Sequence, residues 1–166
     1  MKACYPGTFD PITKGHLDII QRASRMFDEV VVLIMRNPYK TCLFSEEERK
    51  EMIEESIAGI AHPERVRVMI GSGLTAMFAE SIGASALIRG IRAVTDYEYE
   101  LMQATANMQL NEKIETLLMI ARPEYSFLSS SVVKEIGLNQ GDFSGMIPPE
   151  IYGKVNRAFE AKRKNL

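Results

Sequence analysis

The sequence predicts a doubly wound α/β domain in which a five-stranded parallel sheet carries helices on both faces. Short β-rich runs alternate with amphipathic segments of helical spacing, an alternation typical of a parallel sheet. One run, Val30 to Met35, is apolar throughout, which indicates a central strand buried on both faces. Because no repeat, low-complexity tract or linker interrupts the chain, we expect a single domain over residues 1–166.

Five β-rich runs supply the predicted strands. The first is the apolar start of the chain, the second is the continuous apolar run, and the fourth ends in Arg89-Gly90. In chain order the predicted strands are Ala3 to Tyr5, Val30 to Met35, Val66 to Ile70, Ala86 to Ile88 and Thr116 to Ile120.

The helices are predicted from apolar spacing and from signals at their ends. Gly15 to Phe27 has apolar residues at helical spacing, and Ser45-Glu46-Glu47-Glu48 has the form of a capping box. Pro148-Pro149 introduces the last helix, and Lys162-Arg163-Lys164 suits the C-terminal end of its dipole. The predicted helices cover 15–27, 45–60, 74–82, 95–109, a segment from 129 onward, and about 149–163.

Composition and charge exclude several classes of protein. A formal net charge of −2 argues against a protein that coats nucleic acid or an anionic membrane. Cys4 and Cys42 are too few for a disulfide framework and lack metal-ligand spacing, which favours a reducing compartment. No apolar run has the length of a signal peptide or a membrane span, so we expect a cytoplasmic enzyme or binding domain.

The segment from Tyr5 to His16 predicts a phosphate-binding cradle. It places Gly15-His16 at the start of a helix that follows an apolar strand, where free backbone N–H groups and a partial positive charge attract anions. The imidazole of His16 and the hydroxyl of Thr8 add directed donors. A histidine here could instead only cap the helix, but the strand and Thr8-Phe9-Asp10-Pro11 ahead of it favour the phosphate site.

Polar residues also follow the second and third strands. In Rossmann-like sheets of this kind, ligands bind outside the carboxyl ends of the strands, near the point where strand order reverses. Lys40 follows the second strand and Thr75 the third, so we expect both near the same edge. Lys40 lies in a turn-like loop, and a solvated lysine is the alternative interpretation.

Two arginines bracket Gly90 at the end of the fourth strand. The planar guanidinium groups of Arg89 and Arg92 match the geometry of phosphate oxygens, which favours phosphate binding. The alternative is that they form ordinary ion pairs with Asp96 or Glu98.

Three serines, Ser129 to Ser131, open the helix after the fifth strand. One serine is enough for an N-cap, so the surplus hydroxyls and free amides predict an anion nest for a triphosphate. Glu100 lies on the helix after the arginines, where a solvated carboxylate is the alternative to a contact with a nucleotide sugar.

Four segments of the chain together resemble one known family. They are Thr8-Phe9-Asp10-Pro11 with Gly15-His16, Ile88-Arg89-Gly90-Ile91-Arg92, Asp96-Tyr97-Glu98-Tyr99-Glu100, and Ser126-Phe127-Leu128-Ser129-Ser130-Ser131. In these segments the chain, from Met1 to about Glu150, is similar to bacterial phosphopantetheine adenylyltransferases. Gly15-His16 alone marks only the broader nucleotidyltransferase superfamily. Tyr125 departs from the pattern, because many relatives have tryptophan there.

The resemblance implies a reaction and a set of substrates. The adenylyl group of ATP is transferred to 4′-phosphopantetheine, giving dephospho-coenzyme A and pyrophosphate, as a step of coenzyme A biosynthesis. The acceptor phosphate attacks the α-phosphorus in line, without a covalent enzyme intermediate. The resemblance further implies Mg²⁺ bridging the phosphates mainly through water, and a homohexamer. Because the net charge is slightly negative, we expect neither nucleic acid nor membrane as a partner.

The resemblance also implies a role for each site residue. His16 stabilises the transition state, Lys40 and Arg89 hold the phosphate of phosphopantetheine, and the same acceptor contacts Thr8 and Thr75. The residues implied for ATP are Thr8, Phe9, His16, Gly90, Ile91, Arg92, Glu100, Tyr125, Ser126, Phe127, Leu128, Ser129, Ser130 and Ser131.

Three other functions stay open on the sequence. The nearest is a different adenylyl or cytidylyl transferase, which the choice of acceptor would distinguish. A synthetase-like, tRNA-linked protein is disfavoured, because the chain lacks a Lys-Met-Ser-Lys-Ser segment, a second domain and basic charge. A regulatory module that senses ATP without chemistry is the third, since similar sheets host many functions.

Overall fold

A five-stranded parallel sheet organises the chain, as the sequence predicts. The computed structural model describes residues 1–36 and 41–164. The strand order is β3-β2-β1-β4-β5, so the order reverses between the adjacent strands β1 and β4. The strands are β1 (Lys2–Gly7), β2 (Glu29–Met35), β3 (Val66–Gly71), β4 (Ala86–Ile91) and β5 (Glu115–Ile120).

Helices alternate with these strands. The 3₁₀ turn Pro63–Arg65 precedes β3, and the 3₁₀ turns Pro123–Tyr125 and Pro149–Ile151 precede the last two helices. None of the helices in the described part of the chain has the length and apolar character needed to cross a bilayer. The helices are α1 (Lys14–Met26), α2 (Glu46–Ile57), α3 (Thr75–Ser81), α4 (Val94–Leu110), α5 (Ser130–Leu138) and α6 (Tyr152–Lys164).

The alternation of side chains along the strands builds a separate apolar core on each face of the sheet. Tyr5 and Val32 belong to a larger core that also contains residues of α1, α2, α5 and α6. Cys4 and Leu33 belong to a smaller core with residues of α3. Burial raises the pKa of the Cys4 thiol to about 12, so this cysteine acts as a small apolar side chain.

Several predicted boundaries differ from the structure. β1 extends to Gly7 and not only to Tyr5, and α2 ends at Ile57, three residues before its predicted end. β4 continues to Ile91, so Arg89 and Gly90 lie within the strand and not in the loop after it. Strand pairing explains the extension, because Arg89, Gly90 and Ile91 are in register with residues of β5. The last helix begins at Tyr152, after a single 3₁₀ turn, and not at about residue 149.

A contact without spare room joins α5 to α6. A Cβ atom added to Gly137 would lie 2.2 Å from Cε2 of Phe159, whose side chain is fully buried. Arg163 also donates a hydrogen bond of 2.6 Å to the Gly137 carbonyl. The helix that carries the three serines is therefore braced from behind by the C-terminal helix.

We expect Gly137→Ala to lower the free energy of unfolding by about 1–3 kcal/mol, because the buried Phe159 ring cannot move aside without strain. Denaturant unfolding of the wild-type and variant proteins measures the difference. Gly59→Ala is the matched control, since a Cβ at that position meets nothing within 4 Å. Equal losses for the two variants would contradict this account of the α5–α6 contact.

Candidate active site

An open cavity of about 480 Å³ lies where β1 and β4 end, at the reversal of strand order. Its wall is formed by the loop after β1, the start of α1, the end of β4 and the segment from 125 to 131. The side of α5 that carries Lys134 completes it. These elements place polar groups from distant parts of the chain around one space.

Most of the predicted site residues line this cavity. Among the described residues, four predicted members do not: Thr75, Ile91, Ser126 and Phe127. Thr75 begins α3 after β3, and β3 lies two strands away from β1 at the edge of the sheet. Lys40 lies outside the described residues. The predicted residues that do line the cavity are Thr8, Phe9, His16, Arg89, Gly90, Arg92, Glu100, Tyr125, Leu128, Ser129, Ser130 and Ser131.

A capping box at the start of α1 orients the His16 ring. The backbone N–H of Thr13 donates to Nδ1 of His16 at 3.1 Å, and the His16 N–H donates back to Oγ1 of Thr13 at 3.3 Å. The Phe9 ring packs edge-on against the imidazole, with centroids 5.1 Å apart. His16 thus caps its helix, but the cap and the phosphate site are compatible, because the cap uses only Nδ1.

The proton of the neutral imidazole is assigned to Nε2. A backbone N–H can only donate, so Nδ1 must accept, and the ring proton resides on the other nitrogen. Burial, together with the positive charges of Arg92 and Arg89, lowers the pKa of His16 to about 4. At neutral pH the His16 ring is therefore uncharged, and its Nε2–H group is a hydrogen-bond donor to the cavity.

We expect the His16 imidazole to titrate near pH 4 in the folded protein, because burial and two arginines disfavour its charged form. NMR of the ring protons measures the titration. The His62→Gln variant leaves His16 as the sole histidine, which assigns the signal. In the unfolded chain the group is protonated below about pH 6.5, so its stabilising contribution falls as pH drops from 6.5 towards 4. Titration of the native signal near 6.5 would contradict the assignment.

Arg89 is held by a carboxylate. Its Nε and Nη2 atoms donate to the two oxygens of Glu100 at 2.6 and 2.7 Å, and Nη1 donates to the Pro6 carbonyl at 2.8 Å. Burial disfavours the charged guanidinium, but hydrogen bonding to Glu100 and its charge outweigh burial and raise the pKa of Arg89. The pair therefore fixes the orientation of a charged guanidinium at the wall of the cavity, with its charge balanced by Glu100.

Arg92 is held in a comparable way from α4. It donates to Asp96 through Nε at 2.9 Å and through Nη2 at 3.1 Å, while Nη1 reaches the Leu128 carbonyl at 2.8 Å. Hydrogen bonding from Arg92 lowers the pKa of Asp96. Both arginines thus have acidic partners. The pair of Arg92 with Asp96 is one of the ion pairs that the sequence offers as an alternative to phosphate binding. The pair of Arg89 with Glu100 is not, because the sequence resemblance implies that Glu100 contacts ATP. Ion pairing and exposure to the cavity occur together.

The three serines have separate tasks at the start of α5. Ser129 is the N-cap and accepts from the Val132 N–H at 3.1 Å, whereas Ser130 donates to the Pro11 carbonyl at 2.7 Å. Ser131 is exposed at the helix terminus and lines the cavity. The cap and the tie to the β1–α1 loop position this terminus, and all three serines line the cavity.

Two residues of the cavity are functional candidates beyond those predicted: Asp10, which belongs to the Thr8-Phe9-Asp10-Pro11 motif, and Lys134 on α5. Both residues line the cavity, and the Asp10 carboxylate accepts from Nζ of Lys134 at 2.8 Å. No local spacing indicates this pair, because 124 residues separate its members. The available signal was that Lys134 is four residues after Ser130, the first residue of α5, so the two lie on the same face of the helix.

The cavity offers no free carboxylate for a metal ion among the described residues. Asp10 and Glu100 are its two acidic lining residues, and they are bonded to Lys134 and Arg89. Within residues 1–36 and 41–164, no group of three or more histidine, cysteine or acidic residues is arranged to hold a metal. These residues do not fit a metal bound directly by the protein.

Comparison with known proteins shows which family the chain belongs to. Residues 4–136 match the model of the cytidylyltransferase-like family. Phosphopantetheine adenylyltransferase of Thermotoga neapolitana is 49% identical over 91% of this chain and 92% of its own length. That of Alkaliphilus oremlandii is 48% identical over 95% of this chain and 98% of its own. The chain belongs to the phosphopantetheine adenylyltransferase family.

Membership of the phosphopantetheine adenylyltransferase family confirms the resemblance found in the four sequence segments. The fold is shared more widely. Nicotinic acid mononucleotide adenylyltransferase of Plasmodium falciparum superposes with a TM-score of 0.69 at 16% identity, covering 97% of this chain and 94% of that one. This likeness concerns the fold, which places the first and fourth strands together as described above.

Proposed function

We propose that this protein transfers the adenylyl group of ATP to 4′-phosphopantetheine, producing dephospho-coenzyme A and pyrophosphate. Family membership supports the choice of substrates. The observation that carries the chemistry is the orientation of His16, whose Nδ1 is occupied by the Thr13 N–H and whose Nε2 is therefore a donor. A neutral donor in a cavity lined by two arginines suits a reaction between two anions.

The proposed reaction is a direct displacement. An oxygen of the acceptor phosphate attacks the α-phosphorus of ATP, a new P–O bond forms, and the bond from the α-phosphorus to the bridging oxygen breaks with release of pyrophosphate. Because the attacking group is already an anion, no protein base or nucleophile is needed. Catalysis then depends on positioning and on stabilising the charge that develops.

In this proposal His16 acts on the developing charge. Its Nε2–H donates to a nonbridging oxygen of the α-phosphate, where negative charge increases in the transition state. The depressed pKa keeps this donor neutral at neutral pH, so it retains the tautomer that the Thr13 hydrogen bond selects. A fixed donor of this kind costs no reorganisation during the reaction.

The acceptor is proposed to bind on the side of Arg89. The guanidinium is fixed by Glu100 and by the Pro6 carbonyl, which leaves its charge at the cavity wall beside Thr8. Lys40 is proposed to bind the same phosphate, and Thr75 the pantetheine arm, on the basis of the sequence resemblance alone.

ATP is proposed to bind between the start of α1 and the start of α5. Gly90, Arg92 and the segment from Tyr125 to Ser131 form that side of the cavity, apart from Ser126 and Phe127, which do not line it. Ile91, Ser126 and Phe127 remain proposed contacts from the sequence resemblance. Mg²⁺ is proposed to enter with ATP, held by phosphate oxygens and water, since the acidic lining residues are already paired.

Pyrophosphate release tests this function. The purified protein is given Mg²⁺-ATP alone, with 4′-phosphopantetheine, with nicotinamide mononucleotide, or with CTP and glycerol 3-phosphate. Release that requires 4′-phosphopantetheine supports the proposal. Release only with another pair of substrates would keep adenylyl or cytidylyl transfer but reject this acceptor. ATP binding without release for any acceptor would favour the regulatory module.

A homohexamer is proposed as the working form, in the cytoplasm. Glu100 is the only buried residue of α4, most apolar side chains of that helix are exposed, and so are Leu117 and Ile120 on β5. Exposed apolar patches of this extent mark interfaces in soluble proteins. Sedimentation of the wild type and of Met102→Glu tests the assembly, because a charge on this face should dissociate it. The exposed apolar residues are Val94, Tyr97, Tyr99, Leu101, Met102, Met108, Leu110, Leu117 and Ile120.

A further inference from the structure

Asp10 is a buried charged residue in the loop between β1 and α1. Its side chain is 2% exposed, yet the residue lines the cavity and carries a carboxylate. A buried charge is tolerated only when it is paired and hydrogen-bonded. The hydrogen-bond partners of Asp10 therefore indicate the role of its carboxylate.

Those partners belong to two segments on different sides of Asp10: the backbone just after the cavity-lining residues Thr41 and Cys42, and the side chain of Lys134 on α5. On one side, Oδ1 accepts from the Leu43 N–H at 3.1 Å and from the Phe44 N–H at 2.9 Å, and Oδ2 accepts from the Leu43 N–H at 2.9 Å. On the other side, Oδ2 accepts from Nζ of Lys134 at 2.8 Å. One carboxylate thus joins segments that are 33 and 124 residues away in sequence.

The loop around Asp10 has supports of its own. Nη1 of Arg49 donates to the Thr8 carbonyl at 2.8 Å, and Nε of the same residue donates to the Phe44 carbonyl at 3.1 Å. Ser130 donates to the Pro11 carbonyl at 2.7 Å. Because these bonds hold the loop on both sides of Asp10, the fold does not depend on the carboxylate alone.

Lys134 is the charged partner of Asp10. It follows the triple serine by one turn of α5 and lines the cavity, with its side chain 28% exposed. An ammonium group has three donors, and Asp10 accepts from one of them. Without the carboxylate, the long lysine side chain would sample many rotamers in solvent, and its remaining donors would lose a fixed direction.

We propose that Asp10 is a positioning residue, which fixes the Lys134 ammonium beside the start of α5 so that it contacts the phosphates of the bound nucleotide. The hydrogen bonds to Leu43 and Phe44 hold the opposite wall, where Thr41 and Cys42 line the cavity. This role rests on the proposed function only in taking a nucleoside triphosphate as the ligand. It does not depend on which acceptor the enzyme uses.

The binding of Mg²⁺-ATP to Asp10→Asn, Lys134→Gln and the double variant tests this role by calorimetry. Asn keeps an oxygen for the Leu43 and Phe44 amides but removes the charge that holds Lys134. We expect each single substitution to weaken ATP binding by about tenfold or more, the loss typical of a charge-assisted contact. The double variant should be no weaker than the weaker single, because both act through the same contact.

Control variants separate positioning from general damage. Glu135→Gln neutralises an exposed carboxylate next to Lys134 and should bind ATP as the wild type does. Lys134→Arg keeps the charge and should recover most of the affinity. Thermal unfolding of every variant shows whether a loss of ATP binding results from a loss of fold. If Asp10→Asn does not fold, the comparison of Lys134→Gln with Lys134→Arg still decides whether the ammonium contacts ATP.

Unchanged ATP affinity in Asp10→Asn, or additive losses in the double variant, would overturn the proposal. The same holds for Lys134→Gln that binds as tightly as the wild type. Failure of the proposed function has a different signature: the wild type would bind ATP but release no pyrophosphate with 4′-phosphopantetheine, while the order of ATP affinities among the variants would still test Asp10.

Discussion

Replacing His16 by alanine should lower kcat by about 10²–10³, the usual cost of losing a donor aimed at charge in the transition state. Affinity for ATP should change little, because the Nε2–H acts most strongly on charge that forms during the reaction. Steady-state pyrophosphate release gives kcat, and calorimetry with Mg²⁺-ATP gives the affinity. The substitution leaves the Thr13 N–H without its acceptor, so unfolding of the variant must be measured as well.

The second histidine supplies the control for this experiment. His62 lies in the loop before β3 and does not line the cavity, so His62→Ala should retain wild-type kcat. If His16→Ala kept kcat within about fivefold of the wild type, the imidazole would be only a helix cap and not a transition-state donor. A fall in ATP affinity with unchanged kcat would instead make His16 a binding residue.

Breaking the Arg89–Glu100 pair should cost both stability and acceptor binding. Arg89→Met leaves a 9% exposed carboxylate without its cation, and Glu100→Leu leaves the guanidinium without its anion. Because Arg89 is 27% exposed, we expect about 3 kcal/mol of destabilisation for each, the low end for a broken buried pair. Each variant should also raise the KM for 4′-phosphopantetheine by about tenfold or more, as expected for a charge-assisted phosphate contact.

The double variant Arg89→Met/Glu100→Leu separates the two effects. Replacing both charges by apolar side chains of similar size should restore much of the stability, since neither charge is left unpaired. The KM for 4′-phosphopantetheine should stay high, because the phosphate has lost its guanidinium. If Glu100→Leu raised only the KM for ATP, Glu100 would contact the nucleotide directly, as the sequence resemblance implies.

Local patterns predicted most of the fold. The capping box at Ser45 and the apolar run of β2 are signals within a few residues, and both elements form where expected. The extension of β4 to Ile91 was missed, because the polar and flexible pair Arg89-Gly90 has a weak strand preference of its own. Pairing with β5 imposes the strand there, and pairing is not visible in a local window.

The sequence predicts most residues of the candidate site, but it does not predict which residues they bond to. Strand ends indicated where Arg89 and Ser129 would lie, because carboxyl ends of parallel strands share one edge. The partner of Arg89 was not identified, since Glu100 lies eleven residues away on the next helix and either of two nearer carboxylates was plausible. The Asp10–Lys134 contact is a property of the tertiary structure, and no spacing rule could have found it.

The burial of Glu100 alone on α4 links the anchoring of that helix to the occupancy of the site. An anion that binds the Arg89 guanidinium competes with Glu100 for it. Ligand binding and the packing of α4 therefore depend on the same ion pair. If a second copy covers the apolar side chains of α4 in the proposed assembly, anion binding and that contact must change each other's affinity by the same factor, because coupling between two binding events is reciprocal. Association through α4 would therefore make phosphate affinity depend on protein concentration, and measuring that dependence would detect the association without a label on α4.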